Sequence, residues 1–132
     1  MIVSITINSM RAERDEKLLG KVNVKSNPRV KGVKKGKIES IGKDALEIDF
    51  GYTATYSGEK KDVAKIEIEG KMFFLTDEID KIIKEWKKKK TLPEEVLIPV
   101  MNSILRKSLS RAVWLAEELQ LPPPIRFPVI HK

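Results

Sequence analysis

The chain opens with strand-like alternation. In IVSITI, Val3, Ile5 and Ile7 fall on one side and Ser4 and Thr6 on the other, and KVNVKS repeats the pattern with Val22 and Val24. The longest run of this kind is ALEIDFGYTATYS. Leu46, Ile48, Phe50, Tyr52, Ala54 and Tyr56 share one face there, and Glu47, Asp49, Thr53, Thr55 and Ser57 share the other. One face buried and one wet predicts an antiparallel sheet. SGEKKD turns into VAKIEIEGKMFFL, with Ile66, Ile68, Met72 and Phe74 inward and Lys65, Glu67, Glu69 and Lys71 outward. Phe73 and Leu75 interrupt that polar face where the strand ends.

The period then changes. In DEIDKIIKEWKKKK, Ile79, Ile82, Ile83 and Trp86 stand at i, i+3, i+4 and i+7, so a helix capped by Thr76 is predicted, with acids in its first turn and lysines in its last. Thr91 and Glu94 have capping-box spacing. Proline is tolerated in a first turn, so the next regular helix is expected to begin near Pro99. Its apolar stripe is Met101, Ile104, Leu105, Leu109, Ala112, Val113, Ala116 and Leu119, with Trp114 and Leu115 off centre. Pro122, Pro123 and Pro124 end it. Leu121, Ile125, Phe127 and Val129 then suit a strap lying on a surface. Strands followed by helices predict an α+β fold, a four-stranded antiparallel sheet with two helices packed on one face. The 132 residues read as one domain, with the sheet over 1–75, helices over 77–120 and the strap over 121–132.

Charge adds a second theme. Of the net +7, all resides between Arg11 and Lys43, which hold eleven basic and four acidic side chains. RVKGVKKGK within this stretch reads as strand, turn, strand. Lys21, Lys25, Arg29, Lys31, Lys34, Lys35 and Lys37 are its candidate contacts for nucleic acid or the ribosome, although no aromatic residue is interleaved to stack a base.

Catalytic chemistry is poorly supplied. His131, the one histidine, is the penultimate residue, there is no cysteine, and RVKGVKKGK lacks the phosphate-loop pattern. Glu67 and Glu69 have no histidine or cysteine near them in sequence to complete a metal site. No enzyme activity, metal or cofactor is expected. MIVSITINSM has no basic leader region and no apolar run reaches membrane-spanning length, so a cytoplasmic location is expected.

Element order and chain end together resemble the SecB family of export chaperones. The residues that carry the resemblance are VNVKSNPRVK, ALEIDFGYTATYSGEKKDVAKIEIEGKMFFL and VLIPVMNSILRKSLSRAVWLAEELQLPPPIRFPVI, the last matching the family's apolar-proline turn, long helix and proline-containing tail. The resemblance implies a homo-oligomer, a dimer or tetramer, that binds unfolded or nascent polypeptide through apolar grooves without hydrolysing nucleotide. SecB-like proteins also serve as chaperones of toxin-antitoxin systems. Candidate client contacts are Phe73, Leu75, Trp114, Leu115, Ile125 and Phe127, any of which can equally be core or interface. Three features depart from the family: a shorter connection around RAERDEKLLG, a longer lysine-rich linking helix, and an outward sheet surface of mixed sign where the family docks on its translocase motor through acidic residues.

Overall fold

A computed structural model describes residues 1–17 and 21–124. Strands β1 (Ile2–Arg14), β2 (Asn23–Ile38), β3 (Lys43–Ser57) and β4 (Asp62–Phe74) precede helices α1 (Ile79–Lys89) and α2 (Glu94–Glu118). The strands form one antiparallel sheet in the order β1-β4-β3-β2. The α+β architecture expected from the sequence is therefore present, with both helices on one face.

The alternating pattern of β3 decides that face. Leu46, Ile48, Phe50, Tyr52, Ala54 and Tyr56 are all buried, as are Ile66, Ile68, Met72 and Phe74 on β4. Each large side chain so removed from water stabilises the fold by roughly 1.5–3 kcal/mol. The helices cover this face with Ile82, Leu92, Val96, Val100, Ile104, Ala112 and Ala116.

Several local expectations change. RVKGVKKGK makes no turn, because β2 runs unbroken through it to Ile38. Its proline, Pro28, is tolerated since β2 lies at a sheet edge, where a missing N–H breaks no ladder on the open side. Val3 does not join the inward row. It is the extra residue of a bulge between Ile2 and Ser4 and is 39% exposed. Asn8 and Lys31 are bulge residues too, and they fall on either side of the regular Phe50–Gly70 pair, so the two edge strands are irregular at the same level of the sheet. Bulges bend and twist the strands that carry them. Gly70 is required at that level: a Cβ there would lie 2.3 Å from the Thr6 carbonyl oxygen and 2.5 Å from the Phe50 ring.

The helix starts also shift. Thr76 accepts a hydrogen bond from the Glu78 N–H at 3.2 Å, a turn before α1, and Glu78 occupies the cap position. Pro93, not Thr91, precedes α2, and Pro99 sits inside it. A first turn already anchored by the buried Val96 and Leu92 lets the helix begin five residues before the proline. Burial along α2 repeats every fourth residue: Val96, Val100, Ile104, Ser108, Ala112 and Ala116. Four residues exceed one turn by about 40°, so this row winds around the helix axis as α2 crosses a twisted sheet. Ser108 is fully buried, and its Oγ has no partner among the described residues. Replacing it with alanine removes an unsatisfied polar atom, so Ser108→Ala is expected to leave stability unchanged or raise it by up to about 1 kcal/mol in urea unfolding.

Candidate polypeptide-binding surface

The α2 rows beside the buried one differ sharply. On one flank stand Leu97, Met101, Leu105, Leu109 and Val113, a four-residue repeat parallel to the core row. Leu97 is exposed, Val113 is partly buried, and Met101, Leu105 and Leu109 are partly buried with one side packed against the core. At 1.5 Å rise per residue this apolar strip is about 24 Å long. The opposite flank carries Pro99, Ser103, Lys107, Arg111 and Leu115, polar over its middle three positions. Along the outermost row, Ile98 and Trp114 are 51% and 55% exposed. The strip runs toward a hollow of about 240 Å³ lined by Val113, Glu117, Leu121 and Pro123.

That hollow depends on how the chain leaves α2. Gln120 adopts a left-handed conformation (φ 54°), and the Leu121 N–H reaches back to the Ala116 carbonyl at 2.8 Å, which closes the helix and buries Leu121. The prolines that follow have carbonyls but no N–H groups, and hydroxyls on the sheet meet them. Tyr56 Oη donates to the Pro122 carbonyl at 2.6 Å and Ser26 Oγ to the Pro124 carbonyl at 3.2 Å. With the Ser26 proton committed, the Tyr52 hydroxyl donates to Ser26 Oγ at 2.8 Å. Arg14 holds the Leu119 carbonyl at 2.8 Å from the β1 side.

Burial, with the neighbouring Tyr52 as a smaller cause, pushes the Tyr56 hydroxyl up to about 12 from 10.0. The folded state thus keeps this proton where the unfolded chain has lost it. Its contribution is complete below pH 10 and disappears as pH rises toward 12. Alkaline unfolding in that window is expected, and Tyr56→Phe should flatten it in a pH series of urea midpoints.

The sequence candidates do not form one cluster. Phe73 lies on the sheet face away from the helices, beside Glu47 and over Gly36. Leu75 pairs its backbone with Met1 at the end of β4. Trp114 and Leu115 are on α2 near its C-terminal end, which Arg14 fastens to the opposite end of the sheet, roughly 30 Å of strand from Phe73. Leu115 is partly buried and packs on the core, whereas Trp114 faces solvent. Ile125 and Phe127 lie outside the described residues. The flank of Leu97, Met101, Leu105, Leu109 and Val113 was absent from the sequence candidates because a 3.6-residue period places four of its members in the core. Both rows repeat every four residues, so spacing alone does not separate them; the path of α2 over the sheet does.

Three of the basic candidates, Lys31, Lys34 and Lys35, pair with carboxylates of β3 and β4. Lys34 and Lys71 converge on Glu47 at 2.9 and 3.6 Å, Lys31 pairs with Glu69, and Lys35 with Asp44 at 3.8 Å. The hydrogen bond to Glu47, and then its charge, raises Lys34 above the ordinary lysine value. Arg29 donates to Thr53 Oγ1 at 2.7 Å. Lys21, Lys25 and Lys37 are exposed. Among the described residues no group of His, Cys, Asp and Glu side chains is placed to hold a metal, and no helix is long and apolar enough to cross a membrane.

Comparison of the fold gives a match over all of this chain. The Mycobacterium tuberculosis Rv1957 SecB-like chaperone, solved in complex with a ChAD peptide from the Rv1956 HigA1 antitoxin, aligns with 100% of the chain and 91% of its own, at TM-score 0.57 and 11% identity. The fold is SecB-like. No family model matches the sequence, and no curated protein matches it either. The likeness is thus carried by the architecture: four antiparallel strands, a linking helix and a long helix folded back over the sheet.

Proposed function

We propose that this SecB-like chain is a non-enzymatic chaperone that holds unfolded polypeptide against the apolar flank of α2. The observation that best supports this is the strip from Leu97 to Val113, lengthened by the hollow at Leu121 and Pro123 and bordered by the exposed Trp114. An unfolded client offers apolar side chains at irregular spacing. A long strip with unbranched and branched aliphatic groups, Met101 among them, accepts many such sequences. The fold neighbour was captured with an antitoxin peptide, and a peptide of that kind is the model client for this chain.

The sheet edges favour a homo-oligomer. Along β2 the edge is guarded by Pro28, Lys25, Lys31, Lys34, Lys35 and Lys37, devices that discourage pairing with another strand. The β1 edge is less guarded: it has no lysine and no proline from Ile2 to Arg14, its devices are the bulges at Val3 and Asn8 and the charges of Arg11, Glu13 and Arg14, and Val3 and Met10 beside it are exposed. Antiparallel pairing of two β1 edges joins two copies and covers these side chains. Polypeptide binding by such an assembly is expected in the cytoplasm.

The absence of native cysteine makes a direct test available. An environment-sensitive dye on Val113→Cys should shift its emission when an unfolded client is added, and the same dye on Thr55→Cys, on the far sheet face, should not. Equal shifts at both positions, or none at Val113, contradict the assignment. Native mass of the same samples reports the number of copies.

A further inference from the structure

Among the described residues, and besides Lys25 and Lys37 of β2, the fold leaves positive charge without an ion-pair partner on α1. Lys81, Lys84, Lys87, Lys88, Lys89 and the C-cap Lys90 stand against Asp80, Glu85 and the N-cap Glu78, and all six lysines are exposed. Among the described residues none of the six is paired with a carboxylate, whereas Lys31, Lys34 and Lys35 of β2 all are. The reason is topological. β2 pairs with β3, and β4 lies one strand further; their outward positions carry Glu47, Asp49, Glu67 and Glu69, and the lysines of β2 reach Glu47 and Glu69 among them.

The lysines are arranged on one side. Ile79, Ile82, Ile83 and Trp86 hold α1 to the core, and Lys81, Lys84 and Lys88 follow at three- and four-residue spacing on the opposite side, with Lys87 next to them. The helix dipole accounts for cations in the last turn only, so it explains Lys87, Lys88 and Lys89 but not Lys81 or Lys84. Lys90 is a further sign. It takes a left-handed conformation (φ 56°), where glycine is ordinarily favoured, and its Nζ lies 5.7 Å from the centre of the Trp86 ring. Lys90 thus adds a cation beside Trp86 at the helix end.

We infer that the outer side of α1 binds the phosphate backbone of nucleic acid without reading its bases. Lysine supplies compact point charges suited to phosphates and lacks the planar fork with which arginine reads a guanine edge. Insertion into a lipid surface needs an apolar face turned outward, and that of α1 is turned into the core. This binding is independent of the polypeptide reading, since α1 contributes no residue to the α2 strip.

The test is a titration of a short, mixed-sequence, single-stranded RNA against the full chain over a range of salt. Engagement of about four phosphates predicts a log-log salt slope near −3. Lys84→Glu with Lys88→Glu should weaken binding at least about tenfold, and the neutral pair Lys84→Gln with Lys88→Gln should lower the slope by about 1.4. Lys34→Glu with Lys35→Glu, whose partners already neutralise them, should change affinity less than about twofold. Circular dichroism and client binding by the α1 variants report whether the fold persists. A flat salt response overturns the proposal, as does loss of binding in the β2 pair with none in the α1 pair. Equal binding of polyglutamate through the same lysines would assign the surface to acidic protein instead.

Discussion

Gly70→Ala is expected to destabilise the protein by about 3 kcal/mol in urea unfolding, at the upper end of the usual cost of overpacking. The added Cβ would stand 2.3 Å from the Thr6 carbonyl oxygen and 2.5 and 2.8 Å from two Phe50 ring carbons. A side chain can rotate away, but Thr6 O belongs to the β1 backbone and retreats only if the β1–β4 ladder opens. Combining the change with Phe50→Leu should therefore recover only part of the loss. Hydrogen exchange of β1 should rise in the single variant, because Ile5 and Ile7 pair with Met72 and Gly70 across this contact. Wild-type-like stability in Gly70→Ala would mean that the strands do not approach as described.

The second large effect is on binding and not on folding. Ile98→Asp with Trp114→Asp should weaken capture of an unfolded client at least about tenfold, which corresponds to roughly 1.4 kcal/mol. Unfolding free energy should move by no more than about 0.5 kcal/mol, as for other solvent-facing substitutions. Both side chains are more than half exposed in the folded chain, at 51% and 55%, so their removal opens no cavity. The pair brackets the strip from Leu97 to Val113, and the aspartates place charge where a client must lose water. Isothermal titration with a permanently unfolded client, alongside urea midpoints for the same variants, separates the two quantities.

The sheet is legible in the sequence because its alternation is strict. From Leu46 to Tyr56 every inward residue is apolar and every outward one polar or glycine, and a register slip of one residue would invert that arrangement. The helices are less so. Pro99 argues for a late start to α2, yet Val96 and Leu92 anchor an earlier one by packing on the sheet, which no local rule describes. β2 conceals itself by carrying Pro28, Gly32 and Gly36, which read locally as turn formers. The candidate site was least visible. Met101, Leu105, Leu109 and Val113 are as apolar as the core residues beside them, and only the direction in which α2 crosses the sheet separates flank from core. Charge misled for a similar reason: Lys31, Lys34 and Lys35 are met by acids from β3 and β4, while the exposed lysines of α1, outside the basic stretch, have no such pairs among the described residues.

The central claim is that the chain keeps unfolded polypeptide in solution through apolar contact. Light scattering of an aggregating, unfolded client, recorded with increasing chain at low and at high salt, tests it most directly. Suppression near stoichiometric ratio that is nearly the same at both salt concentrations, and is lost with the Ile98 and Trp114 aspartates, is the predicted result. No suppression at a stoichiometric excess, or suppression that vanishes with salt, would contradict it.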